Sequence, residues 1–300
     1  MMVESTKTRV SSKRSKIAIF LLILTTILWG TSFVITKSIT EQVPVFLYIG
    51  LRFAIALIGF LPFFPHLKFL NKKILVMGFI TGMLYFLGFA IQTFGLQTST
   101  PGKTGFITGL STIIVPFLSW ILYKTAIGWR LWVAVAISVI GMAFLLLEGQ
   151  SGVVIGDILV LICAFFWAFF IIYNDKYVHL GDVYAYSIIQ ILVICCSGFI
   201  CSLILSETFT LFSVSSEIWY LMIYMGIIVM TLTILFQNWS QKYQGATQTA
   251  IIFTLEPVFA VLFDYLIGGR ILSLFGWLGC GLVFIAILII VLKSNNNTIP

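Results

Sequence analysis

The residues able to do chemistry are few, and one of them lies deep in apolar sequence. Residues 245–264 read Gly-Ala-Thr-Gln-Thr-Ala-Ile-Ile-Phe-Thr-Leu-Glu-Pro-Val-Phe-Ala-Val-Leu-Phe-Asp. Glu256 sits near mid-stretch, Pro257 follows it directly, and Asp264 comes about two helical turns later. A carboxylate in a bilayer core costs about 2.5–3.5 kcal/mol on insertion scales. It therefore marks a protein interior, a water cavity or a substrate path. Pro257 has no N–H for the carbonyl of Phe253, so a free acceptor is expected one turn from the acid. A broken helix of this kind is tolerated in a membrane only inside protein or along a cavity. The chemistry that fits is binding: Glu256 holds a cationic or polar substrate group, or cycles a proton. The competing reading is a hydrogen-bonded strut that ties a kinked helix to its neighbour.

Other polar side chains join it as candidates. Thr249 lies seven residues before Glu256, on the same helix face. Thr108 is its counterpart across an internal repeat, and Thr112, Gln92 and Phe253 are further candidates within apolar sequence. Asn238, in the run Gln237-Asn-Trp-Ser-Gln241, is placed to bond substrate, with Gln241 at the inner membrane interface. Arg52 offers a site for an anionic substrate, but is read as structural, snorkelling outward or pairing with Asp264, because the neutral Gln190 takes its place in the second half. The only histidines, His66 and His179, are expected near loops. No HExxH motif, His/Cys metal set or Ser-His pair can be assembled within the membrane, so no cofactor is expected. The five cysteines all fall in apolar runs and read as packing residues.

The elements that must hold these residues follow from composition. Of 300 residues, 60% are hydrophobic and 9% charged, far from the roughly 25% charge of a soluble domain. The mean hydropathy is +1.12. Ten apolar spans are expected, near 17–35, 46–64, 74–96, 104–123, 130–147, 155–173, 183–205, 217–238, 247–267 and 274–292. The first run is long and lacks a small-x-small cleavage site, which sets aside a signal peptide. The net charge of +7 does not point to nucleic acid, since the basic residues flank apolar runs. Lys68, Lys72, Lys73, Lys124, Arg130, Lys176, Lys242 and Lys293 collect with the N-terminal tail on one side. Glu41, Glu148, Asp157, Glu207 and Glu217 collect on the other, with Lys37, Lys103 and Arg270. The positive-inside rule then puts both termini in the cytoplasm, with disordered tails at 1–16 and 293–300.

Residues 17–147 and 155–292 read as two copies of five spans. The Trp-containing run 27–33 resembles 165–171, Arg52 falls opposite Gln190, Val115-Pro116 opposite Glu256-Pro257, and Trp132 opposite Trp277. Five spans is an odd number, so the copies run in opposite senses through the membrane. Inverted repeats with broken helices are the plan of many secondary transporters. The pentapeptide Gly-Phe-Ile-Thr-Gly, at 78–82 and 105–109, reads as helix packing, since no P-loop lysine follows.

Trp29-Gly30, Arg52-Phe53, Gly109-Leu110 to Pro116, and Gln241-Lys-Tyr-Gln-Gly-Ala-Thr-Gln-Thr-Ala250 leading to Glu256-Pro257-Val258 carry a resemblance. The chain resembles the EamA-type drug/metabolite transporters over about 17–292. Where that family often has Gly-Glu, after the fourth and ninth helices, this chain has Lys124-Thr125 and Gly269-Arg270. The resemblance implies an all-α integral membrane protein of ten transmembrane helices in two inverted five-helix repeats. It implies transport of a small metabolite or drug-like solute by alternating access, most simply export across the plasma membrane. It also implies a cavity between spans one, three, four, six, eight and nine, walled by Trp29 and Trp167. The expected partners are the lipid bilayer, a small-molecule substrate and protons, with a homodimer compatible and nucleic acid excluded. The alternatives are a uniporter or exchanger of neutral solutes, an intramembrane enzyme, or a scaffold with a dry centre.

Overall fold

The computed structural model describes residues 12–124, 128–146, 153–207, 214–269, 271 and 273–294. The expectations for residues 1–11, Thr125, Glu148, Arg270 and 295–300 lie outside these. Among the described residues there is no strand. The helices are α1 (Ser12–Thr40), α2 (Val45–Gly59), α3 (Lys72–Thr98), α4 (Pro101–Thr108), α5 (Ser111–Tyr123), α6 (Trp129–Leu146), α7 (Ile155–Val178) and α8 (Val183–Ile204). They continue as α9 (Ser216–Ile223), α10 (Leu232–Gln241), α11 (Ala246–Phe253), α12 (Leu255–Leu266) and α13 (Leu274–Ser294). A 3-10 segment, Leu61–Phe69, follows α2, and a π-helical segment, Tyr224–Thr231, joins α9 to α10.

This is an α-helical integral membrane protein. Among the described residues, seven segments are long and apolar enough to cross a membrane: Lys13–Thr40, Lys72–Thr98, Pro101–Leu122, Ile155–Val178, Val183–Ile204, Ser216–Gln241 and Ala246–Leu266. Val45–Gly59 with Leu61–Phe69 makes an eighth only as a pair bent by 82°. The apolar stretches of α6 and α13, Trp132–Gly141 and Leu274–Ala286, are shorter. Local capping fixes several starts. Asn71 accepts from Ile74 N at 3.0 Å, Asp182 accepts from the amides of Tyr184 and Ala185, and Thr100 accepts from Lys103 N ahead of Pro101. Glu207 reaches across to α2 and accepts from the amides of Phe46 and Leu47, at 3.2 and 2.8 Å. A carboxylate suits that helix end, where free amides gather.

Three sequence expectations shift. The first helix starts at Ser12, so residues 12–16 belong to it and not to a disordered tail. The second span does not run straight to 64; Pro62 and Pro65 follow its end, and the chain turns there. The break in the fourth span is at Gly109–Leu110, while Pro116 lies inside α5. At that break the bonding tightens to three-residue steps, Leu110 N to Ile107 O and Thr112 N to Gly109 O, both 3.1 Å. The second break tightens likewise, Thr254 N to Ile251 O at 3.2 Å. Pro257 therefore sits in the first turn of α12, where amides have no intrahelical acceptor in any case.

Helices α1 and α12 pack closely, as do α3 and α7, α2 and α8, and α6 and α13. Glycines permit the closest approaches. A Cβ on Gly30 would come 2.5 Å from Phe259 Cβ, one on Gly105 would overlap Ala260, and one on Gly109 would overlap Pro257. The two broken spans thus touch break to break. Both copies of the repeated pentapeptide serve packing, Gly78 against Ile189 and Gly82 against Val193.

Candidate functional site

At the level of the two breaks, α1, α3, α7, the π-helical segment, α10 and the broken spans surround a narrow cleft with about 30 Å³ of free volume. Each helix contributes residues one or two turns apart, as one helix face requires. Trp29, Ser32 and Phe33 come from α1, Tyr85, Phe89 and Gln92 from α3, and Trp167 and Ile171 from α7. Thr108 and Ser111 flank the first break, Phe253 and Glu256 the second. Met230 and Gln237 close the remaining side.

The walls are aromatic. The ring of Trp29 lies 4.8 Å from Phe253 and 6.0 Å from Trp167, and Trp167 meets Tyr85 edge-on at 4.7 Å. Into this setting the second break delivers Glu256, 8% exposed and in the first turn of α12. Among the described residues it has no ion-pair partner. The helix amides at that end stabilise negative charge, and π faces attract a cation. Polar contact comes from Gln92, whose Nε2 donates to Thr108 Oγ1 at 2.8 Å.

Trp29, Gln92, Thr108, Trp167, Phe253 and Glu256 therefore converge on the cleft, and Thr112, Thr249 and Asn238 do not border it. Thr112 turns its hydroxyl back onto Gly109 O, 2.7 Å away. Thr249 is fully buried. Asn238 lies in a seam between helices. Its Nδ2 donates to Ser187 Oγ at 2.8 Å and Gln190 Oε1 at 2.7 Å, and its Oδ1 accepts from Asn174 Nδ2 at 2.9 Å. Gln241, the last residue of the span Ser216–Gln241, is buried in protein at that end; it accepts from Asn174 and donates to Ile171 O. Tyr85, Phe89 and Ser32 carry no signal of their own in sequence, but they lie three or seven positions from Gln92 or Trp29 on the same helix face; Gln237, in the polar run, takes the place in the cleft expected of Asn238.

This seam has a stability consequence. Replacing Asn238 by Leu leaves Gln190 Oε1 without its donor and takes one partner each from Asn174 and Ser187, and a buried unmet polar group costs about 1–3 kcal/mol. Asn238→Leu is expected to lower the thermal midpoint in detergent by several degrees, measured by tryptophan fluorescence. An unchanged midpoint would show that the seam is not a structural tie.

Arg52 is turned inward and is 0% exposed, so it does not snorkel. Its Nη1 donates to Tyr48 Oη at 2.6 Å and Thr36 Oγ1 at 3.2 Å, and its guanidinium lies 4.8 Å from the ring centre of Phe89, a cleft wall. The second half repeats the arrangement. Gln190 Nε2 and Tyr186 Oη both donate to Asn174 Oδ1, at 2.9 and 3.0 Å. The counterparts are 138 residues apart in each case (36 to 174, 48 to 186, 52 to 190), as are Trp29 and Trp167.

One end of the bundle is tied by charge. Lys103 and Asp157, 6% and 3% exposed, lie 3.9 Å apart. Asp157 accepts from Ser99 Oγ at 2.5 Å, Lys37 Nζ donates to Ser99 O at 2.5 Å, and Asp264 accepts from Gly102 N at 3.0 Å. These contacts join α1, α3, α4, α7 and α12. From sequence, Lys37, Lys103 and Asp157 read as outside-loop residues; in the fold they are drawn into helix contacts.

Comparison with known proteins extends the geometry. The chain matches the EamA-like transporter family over residues 16–147 and 154–292. It is 31% identical over 277 residues to an uncharacterized transporter of Archaeoglobus fulgidus, covering 91% of this chain and 85% of that protein. It is 23% identical over 227 residues to the uncharacterized transporter YyaM of Bacillus subtilis, covering 72% and 73%. One crystal structure shares the fold with a TM-score of 0.72 at 18% identity, over 94% of this chain and 98% of that one.

Proposed function

The chain belongs to the EamA-like transporter family and is a multi-pass membrane transporter, and on that premise we propose that it moves a small amphiphilic solute bearing a cationic group by alternating access. The single observation that carries this is Glu256, placed at a helix break in a cleft walled by Trp29, Trp167 and Phe253. A carboxylate without an ion-pair partner beside π faces suits an ammonium centre attached to an apolar body.

The proposed frame is ten spans in two inverted halves, 17–147 and 155–292. The shorter apolar stretches of α6 and α13 and the bent α2 are counted among the ten. The matching Thr36–Tyr48–Arg52 and Asn174–Tyr186–Gln190 contacts support the repeat. Both termini lie in the cytoplasm and the membrane is the plasma membrane. The tied end at Lys103 and Asp157 then faces outward, in keeping with a state closed to the outside, and the direction is export. Glu256 exchanges its substrate for a proton. A carboxylate exposed first to one side and then to the other suits that task.

The test is a screen of candidate solutes in proteoliposomes, with and without an imposed pH gradient. Lipophilic ammonium solutes are expected to move against their gradient when the pH gradient is present, and uncharged analogues of the same shape are not. Equal movement of both, indifferent to pH, would overturn the cation assignment.

A further inference from the structure

We propose that a groove between α3 and α8, remote from the cleft, binds one anionic phospholipid, its acyl chain along the helices and its phosphate at Lys72 and Lys73. The groove is lined by Leu75, Val76 and Phe79 of α3 and by Ile189, Leu192, Val193 and Cys196 of α8, without a polar side chain among them. On each helix these positions follow steps of three and four, so each set forms one stripe. The floor is set by glycine. A Cβ on Gly78 would come 2.7 Å from Ile189 Cγ2 and one on Gly82 would come 2.9 Å from Val193 Cβ. The helices therefore meet closely and leave a shallow furrow beside the seam, shaped for a chain and not for a polar solute.

Charge picks out the occupant. Lys72 extends the α3 stripe one step beyond Leu75 and Val76, Lys73 is next to it, and Lys68 lies just before; all three are exposed. Lys72 to Phe79 spans about 10 Å along the helix axis, the depth from a phosphate to the upper acyl chain. Of the acids at this end, Asp182 is engaged by His66 Nδ1 at 3.0 Å and by the amides of Tyr184 and Ala185, and Asp175 is turned toward the Ala246 amide. Neither is paired with Lys72 or Lys73 among the described residues. Juxtamembrane basic residues contribute about 1 kcal/mol each toward anionic lipid. On the topology proposed above, this end faces the cytoplasmic leaflet.

The experiment needs no transport assay, so its failure would leave the transporter reading standing. The purified full chain is titrated with phosphatidylglycerol or with phosphatidylcholine of the same acyl chains. Bound lipid is counted by native mass spectrometry, and the thermal midpoint is followed by tryptophan fluorescence. Phosphatidylglycerol is expected to be retained as one tight copy and to raise the midpoint, and phosphatidylcholine to do neither. Lys72→Gln with Lys73→Gln is expected to weaken phosphatidylglycerol binding roughly 30-fold, with an unchanged midpoint in phosphatidylcholine. Cys196→Trp, at an exposed groove position, is expected to expel the chain while leaving the lysines in place. Equal effects of the two lipids, or undiminished phosphatidylglycerol binding by either variant, would overturn the proposal. So would Cys196-to-Cys196 cross-linking in phosphatidylglycerol nanodiscs, which would show a second copy of the chain in the groove.

Discussion

Glu256→Gln is expected to insert and fold as the native chain does, yet to lose coupled transport. The substitution keeps the shape and hydrogen-bonding capacity of the side chain and removes only its charge. The native carboxylate lies in the cleft with Trp29, Trp167 and Phe253, in the first turn of α12, and is 8% exposed. Removing a charged hydrogen-bond partner there forfeits about 1.5–3 kcal/mol, which corresponds to a fall of about 10- to 150-fold in affinity or rate. The measurement is uptake into proteoliposomes with and without a pH gradient, alongside the thermal midpoint. Loss of pH-gradient drive with retained exchange would assign the carboxylate to proton cycling. Loss of cation selectivity at every pH would assign it to the substrate. A variant with native rate and native pH response would make Glu256 a strut, and the cleft would then select neutral solutes through its aromatic walls and Gln92.

Gly109→Val is expected to be strongly damaging although Gly109 does not line the cleft. Gly109 has ordinary right-handed helical angles, φ −57° and ψ −19°, so a side chain meets no backbone penalty there. The obstacle is Pro257 of the other broken span, whose ring occupies the space a Cβ needs. Neither the proline ring nor the Phe106 carbonyl, 3.1 Å from the same Cβ, can swing aside as a long flexible side chain would. Overpacking of this kind costs about 1–3 kcal/mol or more, and the two breaks must separate to relieve it. A fall of many degrees in thermal midpoint and loss of transport should follow together. Gly245→Ala is the control, because nothing lies within 4 Å of a Cβ at that position. It should match the native protein in both measurements. A stable, active Gly109→Val would show that the breaks are not packed against each other.

The sequence by itself determined the helical membrane character and the candidate acid. Those features are local. About twenty apolar residues in a row can satisfy their backbone in lipid only as a helix. Glu256 followed by proline inside such a run marks a helix irregularity wherever the run ends up. Trp29 and Trp167 were also legible, because their surroundings repeat along the chain. The tertiary structure decided which neighbours in sequence point where. Gln237 and Asn238 are adjacent, but a helix turns about 100° per residue. One therefore faces the cleft and the other enters the seam with Asn174 and Ser187. No local signal separates them. Arg52 read as a candidate for snorkelling because its span has a nearby end, whereas Tyr48, Thr36 and Phe89 hold it inside. Pro116 suggested a break that Gly109–Leu110 makes instead, since a contact with Pro257 from the other half fixes that point. Lys103 and Asp157 could not be paired from sequence, because only the folding of α4 against α7 brings together charges that each read as a loop residue.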